Sequence, residues 1–242
     1  GDPTYDRSGN PYRIEGGSAA NPNARCTVAA KQNPSYAEHA EHPEGVPSSA
    51  IVFGGRRAAL APLVYQAKSW EHGVLIGSSV ASETTAAATG KTGVVRRDPM
   101  AMKPFCGYNF ADYFSHWLSF AKPSDQLPEI FHMNWFRRDN EGNFLWPGFG
   151  DNMRVLEWII ERCEKRVDAN DTPIGYLPYA KDLDTDDLDL PEGTMEKLLK
   201  VNHTQWRIEF DEVAGDLKSY GDRLPKRLLE LRNEIESKLT DR

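Results

Sequence analysis

Between Glu129 and Asn152 the chain reads EIFHMNWFRRDNEGNFLWPGFGDN, a set of residue types suited to capturing a flat heteroaromatic ring. Phe136, Phe144 and Phe149 offer apolar π faces, on which any nucleobase gains stacking energy. A strand-like run from Ile130 to Phe136, a turn at Asp139-Asn140-Glu141-Gly142 and a resumption at Phe144 gather these rings onto one loop. Pro147, Gly148 and Gly150 then end regular structure ahead of an expected helix, marked by Val155, Leu156, Ile159, Ile160 and Cys163 at helical spacing. Asp151 or Asn152 is a suitable N-cap, and the first amides of such a helix lack backbone acceptors. Flat apolar faces beside unpaired donors fit a purine. The same alternation also serves a hydrophobic core, so periodicity alone leaves both readings open.

The string from Phe131 to Asn152 closely resembles the guanine-binding segment of GTP-dependent phosphoenolpyruvate carboxykinases. The resemblance implies that Phe136, Phe144 and Phe149 enclose guanine and that Asn152 lies beside it. Donors near Asn152 would then select guanine, which presents a carbonyl where adenine presents an amino group. Asn23-Ala24-Arg25 matches the family's substrate-binding Asn-x-Arg, whose arginine holds a carboxylate through two parallel hydrogen bonds. In FGGRR, Gly54 and Gly55 permit close backbone approach, and an extended chain points the following arginines to opposite faces. By resemblance Arg56 lies at the nucleotide phosphates, with a catalytic role, and Arg57 is structural.

Residues 82–93, SETTAAATGKTG, resemble the family's mobile lid, which here comprises Ser82, Glu83, Thr84, Thr85, Ala86, Ala87, Ala88, Thr89, Gly90 and Lys91. Many relatives carry an acidic or histidine residue near the lid tip, where this chain has Thr89-Gly90-Lys91. The Gly90-Lys91-Thr92 string is no phosphate-binding loop, because that loop needs a glycine where Thr85 stands.

In its 242 residues, 39% hydrophobic and 27% charged, the chain has the composition of a soluble protein, and a net charge of −7 argues against a nucleic-acid partner. No apolar run is long enough to span a bilayer and the N-terminus has no apolar signal core, so the expected location is cytoplasmic. Cys26, Cys106 and Cys163 are too few and too widely spaced for a disulfide framework or zinc site and are expected as free thiols. Glu38-His39-Ala40-Glu41-His42 lacks the His-Glu-x-x-His spacing, and no metal ligands are assigned.

The short apolar runs that begin at Ser48 read as strands of a mixed sheet, and the resemblance implies the mixed α/β fold of the family's C-terminal nucleotide-binding lobe. Residues 1–47, rich in Gly, Pro, Asn and Ser, are expected to be an irregular arm that packs on a missing N-terminal part of a longer polypeptide, a reading that the absence of an initial methionine favours. Residues 48–242 form the expected guanine-nucleotide-binding domain, a mixed sheet with flanking helices. AIVFGG, PLVYQA, GVLIGSSV and GVVRRDP read as its strands. A helix is expected over Ala111–Leu118, burying Tyr113, Phe114 and Trp117, with His116 inside the core or supporting a site. The acidic run Asp182–Asp189 fails the calcium-loop pattern at its sixth and twelfth positions and reads as a solvated loop. Two amphipathic helices close the chain, one marked by Trp206, Phe210, Val213 and Leu217, the other by Leu228, Leu231, Ile235 and Leu239 behind Pro225.

The resemblance, which runs from about Asn21 to about Gly175, implies the C-terminal part of an enzyme that converts oxaloacetate and GTP to phosphoenolpyruvate, GDP and carbon dioxide in gluconeogenesis. Its P-loop, its catalytic cysteine and its ligands for Mn2+ or Mg2+ would belong to upstream sequence. The chain would then supply the guanine pocket, the lid and part of the substrate site, without being catalytic alone. The other reading is a stand-alone guanine-nucleotide-binding or regulatory module.

Overall fold

The computed structural model describes residues 27–84, 92–122 and 126–239. Asn23, Arg25 and Cys26, the first twenty residues of the arm and lid residues Thr85–Lys91 lie outside the described residues. Residues 48–83 and 94–242 cluster as one compact unit. The second unit groups residues 1–47 with 84–93; its described part carries two short 3-10 turns, Ala30–Gln32 and Glu38–Glu41, with Tyr36 Oη donating to Glu41.

The larger unit is built on a sheet of β1 (Ala50–Gly54), β5 (Glu129–Met133), β2 (Val64–Gln66), β7 (Gly175–Leu177) and β6 (Asn170–Thr172), in that spatial order. β1 and β5 run parallel, Ile51 opposite Ile130 and Phe53 opposite His132, while the other pairs are antiparallel. Parallel neighbours need a long crossover. Here it contains β2, helix α1 (Trp70–Ser78), a ribbon of β3 (Ala81–Glu83) and β4 (Val95–Arg97), and helix α2 (Phe110–Leu118). The fold is therefore mixed α/β, as the sequence predicts.

Alternation along the strands sends successive side chains to opposite faces. Ile130 and Tyr65 join a core with Val74, Phe114, Trp206 and Phe210, so α1, α2, α5 (His203–Lys218) and α6 (Lys226–Glu236) cover one face. Phe131 and Val64 join Trp146, Val155, Trp158 and Leu198, so α3 (Asn152–Cys163) and α4 (Thr194–Leu199) cover the other. The apolar residues read for α5 and α6 are all buried, Leu239 just beyond the end of its helix.

Three local expectations are corrected. GVLIGSSV is not a strand: all but its last two residues lie in α1, which Ser69 caps by accepting from the His72 amide at 3.1 Å. Nearly all of α1 is buried, so no polar stripe betrays its period, and the short apolar run imitates a strand. His116 is exposed on α2 and meets Phe120 edge-on, rather than lying in the core or at a site. Tyr113 and Trp117 are only half-buried, leaving Phe114 as the fully buried ring of that helix.

Two histidines unassigned from sequence, His72 and His132, are buried, and desolvation holds both well below the ordinary imidazole value, down to about 4. His72 Nδ1 accepts from the Lys68 amide, and His132 stacks on Tyr65 with centroids 5.1 Å apart.

Candidate nucleotide site

β5 ends at Met133, and the next residue, Asn134, is the pivot of the site. It is buried, and its carboxamide uses every direction available to it. Nδ2 donates to the carbonyls of Arg57 (2.8 Å) and Ala61 (2.9 Å), while Oδ1 accepts from the amides of Arg57 (3.1 Å) and Phe136 (3.2 Å). One side chain thus fixes the FGGRR loop against the start of the aromatic segment. Sequence reading missed it; a lone asparagine inside an apolar strand-like run is the signal that could have found it.

Beyond Phe136 the chain makes a tight hairpin. Arg138 and Phe144 form a β-bridge, Gly142 adopts φ 89°, and the Asp139 carboxylate accepts from the amides of Glu141 (2.9 Å) and Asn143 (2.8 Å). Those bonds, the Asn143 amide foremost, hold the Asp139 carboxyl below its usual range. The hairpin brings the Phe136 and Phe144 rings to 6.0 Å at 76°. Gly148 (φ 81°) then turns the chain so that Phe149 takes a left-handed φ of 51° and projects its ring, 96% exposed. A non-glycine residue rarely adopts that conformation, which places the strain beside the cavity.

The three phenylalanines, with Trp135, Trp146 and Asn152, line a cavity of about 270 Å3. Trp146 is buried at its base, 1% exposed. The expected N-cap is not formed. Asp151 has helical dihedrals, sits in a 3-10 turn over Phe149–Asp151 and pairs with Arg154; Asn152 instead turns its oxygen to Trp146 Nε1 at 3.0 Å.

An adjoining cavity of about 160 Å3 shares Trp135 and Phe136 with the first and is completed by Gly54, Gly55, Arg56 and Ser82. The Arg56 amide donates to Ser82 Oγ (3.1 Å), its Nε reaches the Glu83 carbonyl at 3.4 Å, and the Glu83 amide donates back to the Arg56 carbonyl (2.8 Å). A Cβ on Gly55 would stand 2.3 Å from the Ala81 carbonyl oxygen, so only glycine fits. The two arginines diverge: Arg57 turns from the cavity and donates to both oxygens of Glu209, at 2.9 and 2.8 Å. The structure therefore brings together Arg56, Ser82, Phe136, Phe144, Phe149 and Asn152, with Glu83 at the edge. Among the described residues no group of three or more His, Cys, Asp or Glu is placed to hold a metal ion, and no helix is long and apolar enough to cross a membrane. Cys106 and Cys163 are free thiols.

The profile described as phosphoenolpyruvate carboxykinase C-terminal P-loop domain matches residues 3–238, and the chain belongs to that family. The match takes in both closing helices, further than the motifs alone reach. The chain is 48% identical, over 97% of its length, to the phosphoenolpyruvate carboxykinase [GTP] of Chlamydia trachomatis, and 52% identical, over 91% of its length, to that of Neocallimastix frontalis. A third relative of the same name, from Treponema pallidum, is 45% identical over 98% of the chain. The chain spans 39%, 36% and 38% of these relatives' own lengths.

Proposed function

We propose that this chain supplies the guanine pocket, the lid and part of the substrate site of a GTP-dependent phosphoenolpyruvate carboxykinase, and is not catalytic alone. The whole reaction would join oxaloacetate and GTP to give phosphoenolpyruvate, GDP and carbon dioxide. The observation that carries this reading is the aromatic cavity with a carboxamide at its edge, opening beside Arg56. Phe136, Phe144 and Phe149 would hold the base by stacking, Asn152 would read it, and Arg56 would meet the negative charge of the phosphates. Asn23 and Arg25 would bind the substrate carboxylate. Closure of the lid, Ser82–Lys91, would shield the enolate left by decarboxylation, since water would protonate it to pyruvate.

Charge neutralisation by a metal is central to phosphoryl transfer. The described residues do not present a ligand set for Mn2+ or Mg2+, so we assign its ligands to polypeptide beyond these residues and derive no step through the ion. We place the reaction in the cytoplasm, in gluconeogenesis.

The test uses the tryptophans of the pocket as reporters. GDP should change the fluorescence of the purified chain at lower concentration than ADP does, through Trp135 and Trp146, and the chain with oxaloacetate, GTP and manganese should form no phosphoenolpyruvate. Equal responses to GDP and ADP would remove the guanine assignment, and turnover by the chain alone would remove the division of labour.

A further inference from the structure

A different cavity, about 300 Å3, is lined by Arg137, Arg138, Lys197, Lys200, Asn202 and Gln205, and it shares no lining residue with the aromatic cavity. We propose that it binds a small polyanion, a molecule of metabolite size carrying phosphate or carboxylate groups, at a site separate from the nucleotide site.

The first argument is Arg137, only 8% exposed. Its Nη1 donates to the carbonyls of Lys200 (3.2 Å) and Leu198 (3.5 Å), while Nε and Nη2 have no acceptor among the described residues. Desolvation accordingly pulls its pKa below the ordinary arginine value. A buried guanidinium ordinarily has a carboxylate against it, because an uncompensated buried charge is strongly destabilising. Arg232, buried to the same degree, has Asp211 and Glu236. Arg137 has neither a carboxylate nor full hydrogen bonding, and the unused edge of its fork is the geometry that takes an oxyanion through two bonds.

The second argument is the rest of the wall. Arg138, Lys197 and Lys200 form no ion pair among the described residues, although the whole chain carries a net charge of −7. Arg138 is fixed by stacking on Phe144 at 4.1 Å and donating to the Gly142 carbonyl at 2.7 Å. Asp139, the carboxylate of this wall, is committed to the hairpin amides of Glu141 and Asn143. Asn202 uses its oxygen to cap α5, accepting from the Gln205 amide at 3.0 Å, which leaves its amide nitrogen to donate. Arg137, Arg138, Lys197 and Lys200 therefore face the cavity as cations and Asn202 as a donor, while the Gln205 and Asn140 carboxamides can turn either a donor or an acceptor to it. The volume is at the lower end for small-molecule sites and suits one or two oxyanion groups.

The test is calorimetric titration of the purified chain with pyrophosphate, inorganic phosphate and citrate at low ionic strength. At least one probe should bind saturably at one site per chain, and the order of pyrophosphate and citrate tells phosphate from carboxylate recognition. The pair Lys197→Ala and Lys200→Ala together should weaken that probe about tenfold or more, since each removes a charge-assisted hydrogen bond. Both residues lie outside the aromatic cavity, so the fluorescence response to nucleotide should persist in the pair variant and report a folded chain. Lys165→Ala, an exposed lysine outside the cavity, should leave the titration unchanged. Absence of saturable binding by all three probes, or equal weakening by Lys165→Ala and the pair, would overturn the proposal.

Discussion

A tryptophan indole is a donor only, so the group that Asn152 turns to Trp146 Nε1 is its oxygen, and the amide nitrogen is left for a ligand. An amide donor at the edge of the cavity meets the carbonyl of guanine favourably and opposes the amino group of adenine, leaving a buried group unpaired. The rings carry no such information. Phe144→Ala should weaken GDP and ADP alike, by about 5- to 150-fold for a stacking contribution of about 1–3 kcal/mol. Asn152→Ala should narrow the gap between GDP and ADP, and Trp146→Phe, which frees the carboxamide to rotate, should narrow it less. Competitive titrations with the two nucleotides measure this, and an unchanged ratio in Asn152→Ala would move base reading to backbone groups. The aromatic residues of this site are legible in sequence because their types declare a flat face. The orientation of Asn152 is not, since the same residue is equally suited to capping the helix, and a neighbouring indole decides between the two roles. Asn134 is hidden for the same reason: its partners lie in a loop 77 residues away.

At the scale of elements, α1 is where sequence reading fails, and close packing is the cause. Gly73 and Gly77 face the sheet side of the core, where a Cβ on Gly73 would lie 2.3 Å from Ile130 Cδ1 and one on Gly77 would lie 2.7 Å from the Phe53 ring. The helix thus approaches β1 and β5 more closely than any side chain permits, and being buried on almost all sides it has no amphipathic signature. α5 and α6 keep one wet face, and their period of apolar residues is plain. This contrast makes a paired prediction. Alanine is a better helix former than glycine by about 1 kcal/mol, and Gly215 on α5 has nothing within 4 Å of its would-be Cβ, so Gly215→Ala should stabilise by about that much. Gly73→Ala gains the same propensity but overpacks the core, typically a loss of about 1–3 kcal/mol, so its net effect should be destabilising. Urea midpoints of the two variants should move in opposite directions; a higher midpoint for Gly73→Ala would show that α1 has room to shift.

Across the whole molecule, Glu209 joins segments that no local pattern connects. From α5 it accepts two bonds from Arg57, 152 residues away, and pairs also with Arg97 of β4, 112 residues away. The Arg57 and Arg97 side chains are 13% and 11% exposed and that of Glu209 is 8% exposed, so removing the carboxylate strands the buried Arg57 and leaves Arg97 with Glu212 as its remaining carboxylate. Breaking such a group by losing one partner costs about 3–5 kcal/mol, more than the packing lost with the side chain. Sequence shows Glu209 only as an acidic position on an amphipathic helix; its burial follows from where α5 lands, between the FGGRR loop and the β3–β4 ribbon. Burial pushes the Glu209 carboxyl up, but the hydrogen bonds and charges of Arg57 and Arg97 outweigh it and hold the folded-state pKa below the ordinary value of about 4.5. A depressed carboxylate stabilises the fold above its unfolded pKa and loses that contribution as pH falls through its folded one. Glu209→Gln should therefore be most destabilising near neutral pH, and its deficit against the parent chain should close as pH falls below about 4.5. Denaturant melts of both proteins from neutral to acid pH test this, because loss of shape alone would give a deficit independent of pH. If the deficit closes with pH while the fluorescence response to GDP weakens in Glu209→Gln at neutral pH, the carboxylate also holds the Gly55–Arg56 turn in place. An unchanged GDP response would confine it to stability, with Asn134, Ser82 and Glu83 positioning that turn.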